Sequence, residues 1–462
     1  MGYKLREIAA ESKFSQELTL EAIAQAVPLS EIKAALAEEA VCEQRERKLN
    51  MVLTVLVTIA MNLYARISIG AVLTKLAKGL RYIWPDPDYP VAQASAFSYR
   101  RYQLGPRPLV NLFHRVCRPL ATPETPGAFL FGLRLMALDG TVEDVPDTAE
   151  NVARFGRQPG DRGDSAFAQI RAVYLAECGT HAIVDAGFWP CQTSERVGGF
   201  RMLRSLTPDM LLMWDRGFHD FDMFQAVLQR HAHALGRLPA HVKPQRVRNL
   251  PDGSYLAYLY PSDYQRRKRG EHLLLRIIEY TITDPALPGY GQVHRLATTL
   301  LDPQRCSALD LACCYHERWE IEMVIDEVDD HQRLAGRPLR SLKPLGVIQE
   351  LYALLIAHYA IRWIMHEAAC LAAVDPDQLS FTHALQVVQE AISEFQMTAP
   401  ELLPNLYQRM LRDIAAVRLP QRRLRTNPRV VKRKMSKFHR KRPQHHHWPQ
   451  PTLPFRKAVA LI

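Results

Sequence analysis

The sequence predicts an α/β fold flanked by helical regions, and three observations lead there. Up to about residue 120, apolar residues recur at helical spacing, with breaks at Pro28 and at the Trp84–Pro90 stretch. From Phe129 to Trp214 the pattern changes to short apolar runs, two of which lead into an aspartate. From about Leu238 to Tyr290, short alternating strands are separated by basic residues, which reads as a β-rich insertion. Strands interleaved with helices of this kind build a sheet covered by helices.

With 462 residues, 47% of them apolar, the chain can bury a large core and divide into two or three domains. It carries 59 Lys and Arg against 48 Asp and Glu, a net charge of +11. Twelve of the basic residues lie between Arg418 and Arg442, a segment with no acid, so the remainder carries about −1. A near-neutral body with a cationic tail points to a polyanionic partner. The eight cysteines form no CxxC pair, which argues against a disulfide framework or a zinc site and for a reducing, cytoplasmic setting. Met1 to Ala26 lacks the apolar core of a signal peptide. The most apolar run, Met51 to Ala65, is short for a membrane span and is expected to be a buried helix.

In chain order, LTLEAIAQAV and LSEIKAALAEEAV are expected as two short helices parted by Pro28, with Ser30 as an N-cap. They suit a helix-turn-helix DNA reader or a plain helical hairpin equally well. Helices follow at Leu49–Leu63, Ser68–Trp84, Gln93–Leu104 and Pro108–Leu120, and Ala121–Gly127 reads as a linker. Strands are expected at Phe129–Leu138, Gln169–Leu175, His181–Ala186 and Met210–Trp214. Helices are expected at Ser194–Leu206 and Asp220–His231. After the β-rich stretch come a strand at His294–Leu301 and one helix over Ser307–Asp330. Further helices at Lys343–Ala373, Phe381–Phe395 and Pro400–Val417 close the body.

Within the Ser307–Asp330 helix, Tyr315, Arg318 and Glu322 fall at i, i+3 and i+7 and share a face. Taken alone, this stretch is more simply a surface helix with an Arg318–Glu322 pair. Two further acids change the weighting. Asp139 follows one apolar strand as LDGT, and Asp215 follows another as WDRG. Ligands in open α/β sheets are met at strand ends. Three carboxylates would suit Mg²⁺ or Mn²⁺, and a pair of such ions suits phosphodiester chemistry.

These residues carry a resemblance. LDGT at Asp139, continuing through Asp147-Thr148 to FGRQPG, LLMWDRGFHD around Asp215, and the Tyr-x2-Arg-x3-Glu signature in YHERWEIE are similar to blocks of bacterial insertion-sequence DDE transposases, in the insertion-sequence-four family. The three acids are spaced by 76 and 107 residues (139 to 215 to 322), in the family's order.

The resemblance implies an RNase H-like catalytic core interrupted by the β-rich insertion. It divides the chain into a helical N-terminal domain (1–125) that is a candidate for end binding, core segments at 126–237 and 293–335, the insertion at 238–292, C-terminal helices at 336–417 and a basic tail at 418–462. It implies a Mg²⁺-dependent endonuclease and strand transferase in which Asp139, Asp215 and Glu322 hold two Mg²⁺ ions, with Mn²⁺ able to substitute. Water would attack at the transposon end, and the freed 3′-hydroxyl would attack target DNA. Tyr315 and Arg318 would contact phosphates. Double-stranded DNA is the implied partner, with a homodimer on paired ends, no membrane, and a bacterial, nucleoid-associated location.

One departure stands out. The signature continues to a Lys seven residues after Glu322, where this chain has Asp329. Arg333, one turn on, would replace it if the helix continues. Arg266, Arg267, Lys268 and Arg269 in the insertion, and Arg429, Lys432, Arg433 and Lys434 in the tail, are further candidates for phosphate contact. Tyr258, Tyr260 and Tyr264 fit strand packing better than base stacking. His445 to His447 read as inert. Two alternatives stay open: a DNA-binding remnant that no longer cuts, and a metal-dependent nuclease without strand transfer.

Overall fold

The computed structural model describes residues 4–9, 11–41, 43, 48–86, 88, 91–160, 163–287, 289–333, 336–419, 430–431, 439–440, 442–443 and 451–462. The chain forms two compact units, each assembled from three segments. One comprises Met1–Ala128, Asp139–Ser205 and Glu320–Leu419; the other comprises Phe129–Leu138, Leu206–Trp319 and Pro420–Ile462.

The larger unit is mainly helical. Its centre is the helix Pro344–Ala372, opened by Pro344 at its first position, where the missing N–H costs nothing. Most of this helix is buried. It packs against Met51–Leu63, Arg107–Val116, Phe381–Met397 and Leu403–Ala416. By length and composition it could cross a membrane, but it is a covered core helix here. The expected apolar helix near residue 51 is also buried, and Asn50 caps it by accepting from the Leu53 N–H at 2.7 Å. Strands Ala168–Glu177 and Ile183–Pro190 pair antiparallel in this unit.

The smaller unit is a mixed sheet. Arg134–Leu138 runs parallel to Met210–Trp214, which runs parallel to Leu211's partner strand, His233–Arg237. The helix Phe221–Gln229 links the latter two strands, as a parallel crossover requires. Val293–Thr298, Leu273–Ile282, Tyr255–Leu259 and Gln245–Asn249 then follow in antiparallel order. The β-rich stretch therefore extends the sheet that contains Arg134–Leu138 and Met210–Trp214.

Several expectations need correction. The first N-terminal helix reduces to a 3₁₀ turn, Glu21–Ile23. The next helix, Leu29–Glu38, starts from Pro28, so Ser30 lies inside it and does not cap it. The Phe129–Leu138 run is not one strand. Phe131 and Gly132 turn the chain at φ 53° and 78°, and the strand after the turn runs from Leu133 to Val145, past Asp139. The single helix expected over Ser307–Asp330 is broken. Ala308–Glu317 ends in i→i+3 bonds, with Arg318 N–H on Tyr315 O and Trp319 N–H on His316 O. A second helix, Glu320–Asp326, passes into a π-helical turn, Glu327–Gln332. His233–Arg237 was not anticipated because its five residues show no clear alternation. Nor was the end of the basic tail: Phe455–Ala458 is a helical turn, and Val459–Leu461 pairs with Tyr280–Ile282.

Candidate active site

Met210–Trp214 is an unbroken apolar strand, buried at every residue. Trp214 packs edge-on against Phe224, with centroids 4.9 Å apart. Gly236 on the neighbouring strand admits the indole, since a Cβ there would come within 2.5 Å of Trp214 Nε1. Asp215 is the next residue. Its Oδ1 accepts from the Gly217 N–H at 2.7 Å and caps the turn Arg216–Phe218. That bond fixes the direction of the carboxylate at the end of a rigid strand.

Leu138 stands opposite Trp214 in parallel register, and Asp139 is the next residue. Asp139 Oδ1 accepts from the Gly140 N–H at 2.8 Å. Gly140 is tightly enclosed, and a Cβ there would meet Glu195 Cγ at 2.8 Å. Glu195 is itself paired with Arg171.

Tyr315 is buried, and its hydroxyl donates to the Trp214 carbonyl at 3.2 Å. Burial pushes its pKa up to about 12, with Asp215 adding to the shift against Arg318 and Arg237. The Arg318 guanidinium lies over the Tyr315 ring, 6.0 Å from its centroid. Tyr315 and Arg318 are therefore grouped beside the Asp215 strand. Glu322 lies half-buried in the first turn of Glu320–Asp326, the helix on the other side of the Arg318–Trp319 break.

The helix does not continue to Arg333. It ends at Gln332, and the Arg333 guanidinium binds Glu143 and donates to the Arg337 carbonyl at 3.0 Å. This corrects the expectation that Arg333 extends the signature face towards phosphate. Asp329 lies in the π turn, with Oδ1 3.7 Å from Arg333 Nη1. That oxygen is buried and makes no hydrogen bond, although the side chain as a whole is 27% exposed. Burial, reinforced by Glu143, raises the Asp329 carboxyl well above the usual range.

Arg266, Arg267 and Lys268 sit on an exposed helical turn, Asp263–Lys268, which Arg269 closes in a left-handed conformation. Arg266 pairs with Asp263 at 3.1 Å, and Lys268 lies over the Tyr264 ring. Tyr258 packs against His272, with centroids 4.3 Å apart, and Tyr260 hydrogen-bonds Gln245. Arg429, Lys432, Arg433, Lys434 and His445 to His447 lie outside the described residues.

Sequence reasoning missed one buried cluster in the larger unit. His181 Nε2 lies 2.7 Å from Glu320 Oε2 and 3.3 Å from Asp377 Oδ1, and Nδ1 lies 3.0 Å from Glu327 Oε1. Arg362 and His358 also hold Glu327, through Nε at 2.8 Å and Nε2 at 3.1 Å. The ligand atoms of His181, Glu320 and Asp377 fall within 4.8 Å of one another, a spacing that can hold a metal ion. The available signal was His358 and Arg362 one turn apart inside the otherwise largely apolar stretch Leu351–Met365.

Comparison with known proteins identifies the family. Residues 17–114 match the insertion element 4 transposase N-terminal family, and residues 130–360 match the transposase DDE domain. The chain is 28% identical over 417 residues to the transposase InsG for insertion sequence element IS4 of Escherichia coli K12, covering 88% of this chain and 90% of that protein. It is 25% identical over 147 residues to the putative transposase InsZ of the same organism, covering 32% of this chain and 49% of that protein. A piggyBac transposase synaptic complex with hairpin DNA aligns over 90% of this chain and 88% of that one, at TM-score 0.42 and 11% identity. The DDE match alone spans half of the 462 residues, and the N-terminal match precedes it in the expected order, so the chain belongs to the insertion element 4 family of DDE transposases.

Proposed function

We propose that this transposase cuts DNA at the ends of its insertion sequence and joins the freed 3′ ends to target DNA by in-line phosphodiester attack. Asp139, Asp215 and Glu322 are the acids that would hold the divalent metal. The observation that carries this reading is the register that sets Leu138 opposite Trp214, each followed directly by an aspartate. The donor set fits the ion, since carboxylate oxygens are the hard ligands that Mg²⁺ and Mn²⁺ take. Asp139 and Asp215 each engage one oxygen with a backbone N–H, which orients the carboxylate before any metal arrives. A bound divalent cation supplies Lewis acidity at the phosphodiester and activates the attacking hydroxyl.

Arg318 and the basic segments would meet the DNA, whereas Tyr315, expected at a phosphate, has its hydroxyl on the protein backbone. Arg318 offers a planar donor to a phosphate. Tyr315, with its hydroxyl on the Trp214 carbonyl, supports the strand that ends at Asp215. The basic turn at residues 266–269 and the cationic tail add salt-dependent affinity without sequence preference. Double-stranded DNA is the substrate, and two copies of the chain would act on paired ends.

The test uses a labelled duplex taken from the DNA flanking the coding region, incubated with the full-length protein with and without Mg²⁺. Metal-dependent cutting that Glu322→Ala abolishes supports the reading. Binding without cutting, in Mg²⁺ and in Mn²⁺, supports the remnant, for which Asp329 in the position of the signature Lys is the specific observation. Cutting without joining supports the nuclease.

A further inference from the structure

The segment that carries Glu322 cannot fix its own position. Glu320–Asp326 is seven residues long, cut off from the preceding helix at Arg318–Trp319 and followed by a π turn. A helix this short is marginal alone, because nucleation is costly and few hydrogen bonds repay it. Tertiary contacts must hold it, and two buried acids on either side of Glu322, Glu320 in the helix and Glu327 at the start of the π turn, make such contacts. Glu320 and Glu327 are 4% and 5% exposed, whereas Glu322 is half-buried. In helical register Glu320 and Glu327 share a face and Glu322 projects about 200° away from Glu320.

One imidazole ties the two acids together. His181 meets Glu320 through Nε2 and Glu327 through Nδ1, at 2.7 and 3.0 Å. Arg362 Nη2 reaches both His181 Nδ1 and Glu327 Oε1. Protonated, the ring donates to both carboxylates. Neutral, its Nε2–H donates to Glu320 while Nδ1 accepts from Arg362, which holds Glu327. In both states the link between the acids runs through His181. The residue stands at φ 59°, a conformation non-glycine residues rarely adopt, just before the strand Ile183–Pro190. Arg362 and His358 project from the central helix Pro344–Ala372. The Glu322 segment is thus bolted to a strand and to the core helix at two points seven residues apart.

We infer that His181 is a positioning residue for Glu322: by bridging Glu320 and Glu327 it holds the short helix that presents the third catalytic acid. This inference rests on the role proposed for Glu322. It differs from a general stabilising role, because a displaced Glu322 weakens metal binding and so raises the Mg²⁺ concentration that cutting needs. A misplacement of about 1 Å can cost roughly 100-fold in rate.

The experiment measures single-turnover cutting of the labelled end at saturating DNA across a Mg²⁺ titration, together with end binding and thermal melting of the full-length protein. His181→Leu is expected to slow cutting by about tenfold or more and to raise the half-maximal Mg²⁺ concentration, with end binding unchanged. His181→Gln, which keeps a donor and an acceptor, is expected to restore most of the loss. Asp377→Asn alters a neighbour of His181 that lies off the Glu322 helix and is expected to keep the wild-type Mg²⁺ midpoint. If His181→Leu fails to fold, Glu320→Gln carries the test, with a smaller shift in the same direction.

A folded His181→Leu, or Glu320→Gln in its place, with the wild-type rate and Mg²⁺ midpoint overturns the inference while the role of Glu322 stands. Undiminished cutting by Glu322→Ala, or no cutting by wild type, removes that role and the inference with it. One equivalent of metal that survives chelator dialysis in Glu322→Ala and is lost in Asp377→Asn would make His181 a ligand and overturn positioning by hydrogen bonds.

Discussion

Leu138 lies opposite Trp214 on parallel strands, and each is followed by an aspartate. Trp214 is fully buried between Phe224 and the Gly236 backbone and packs this strand into the core. Trp214→Ala is expected to cost about 3–5 kcal/mol, the range for deleting a buried aromatic. Chemical denaturation of the full-length protein measures it. A loss below about 1 kcal/mol would mean that the strand does not depend on this side chain.

Tyr315 supports the same strand end through its hydroxyl on the Trp214 carbonyl. Tyr315→Phe removes that bond and is expected to cost about 0.5–1.5 kcal/mol. Because the folded phenol is pushed up to about 12 from 10.0, the protein favours the neutral form. The stability this contributes is complete below pH 10.0 and is lost as pH climbs towards 12. Melting temperatures followed into this alkaline range should fall less steeply for Tyr315→Phe than for wild type.

Glu327 and Asp329, two residues apart, are expected to give opposite pH dependences. Burial alone would raise Glu327, but Arg362 and His181 outweigh it and hold the carboxyl well below its ordinary 4.5. The resulting stability is present above that value and is lost as pH falls below it. Asp329 is raised above 3.8 by burial and by Glu143, so its contribution is present at low pH and is lost as pH rises from 3.8 through the raised folded value. Glu327→Gln should therefore flatten the acid limb of stability against pH. Asp329→Asn should remove a decline on the rising side. Asp329→Lys should destabilise the fold, because it sets a second cation beside Arg333. Urea denaturation across pH separates the three variants.

The last residues of the chain close a sheet edge. Val459–Leu461 pairs with Tyr280–Ile282, Phe455 stacks on His316 at 4.0 Å, and Arg456 bonds Asp310 at 2.5 Å. Deleting residues 455–462 unpairs part of the Leu273–Ile282 strand and is expected to lower the melting temperature and promote aggregation through the exposed edge. Light scattering during a thermal ramp checks this. A deletion as stable and monodisperse as the full chain would contradict it.

The sequence disclosed the parts of the fold that are local. Met210–Trp214 was legible from its apolar run, and the helix Pro344–Ala372 falls where one was expected, at Lys343–Ala373. The acids Asp139 and Asp215 stood out because each follows such a run. The break at Arg318–Trp319 was not legible, because every residue around it is a tolerable helix former and tertiary contacts decide the local geometry. The His181 cluster was hidden for a different reason. Its links to Glu320 and Glu327 span 139 and 146 residues, and no local pattern encodes such a contact. The fate of Arg333 followed likewise from Glu143, 190 residues away.

The most direct test of the account is cutting of the labelled end by Asp215→Asn, with Asp139→Asn and wild type alongside, in Mg²⁺. Asparagine keeps the shape of Asp215 and an oxygen that can accept the Gly217 N–H, so the turn is retained while the charge on the metal ligand is removed. The account predicts that both variants bind the end as wild type does and cut at least about 100-fold more slowly, the scale of removing an electrostatic contact made at the reacting centre. Cutting by a folded Asp215→Asn at the wild-type rate would contradict it.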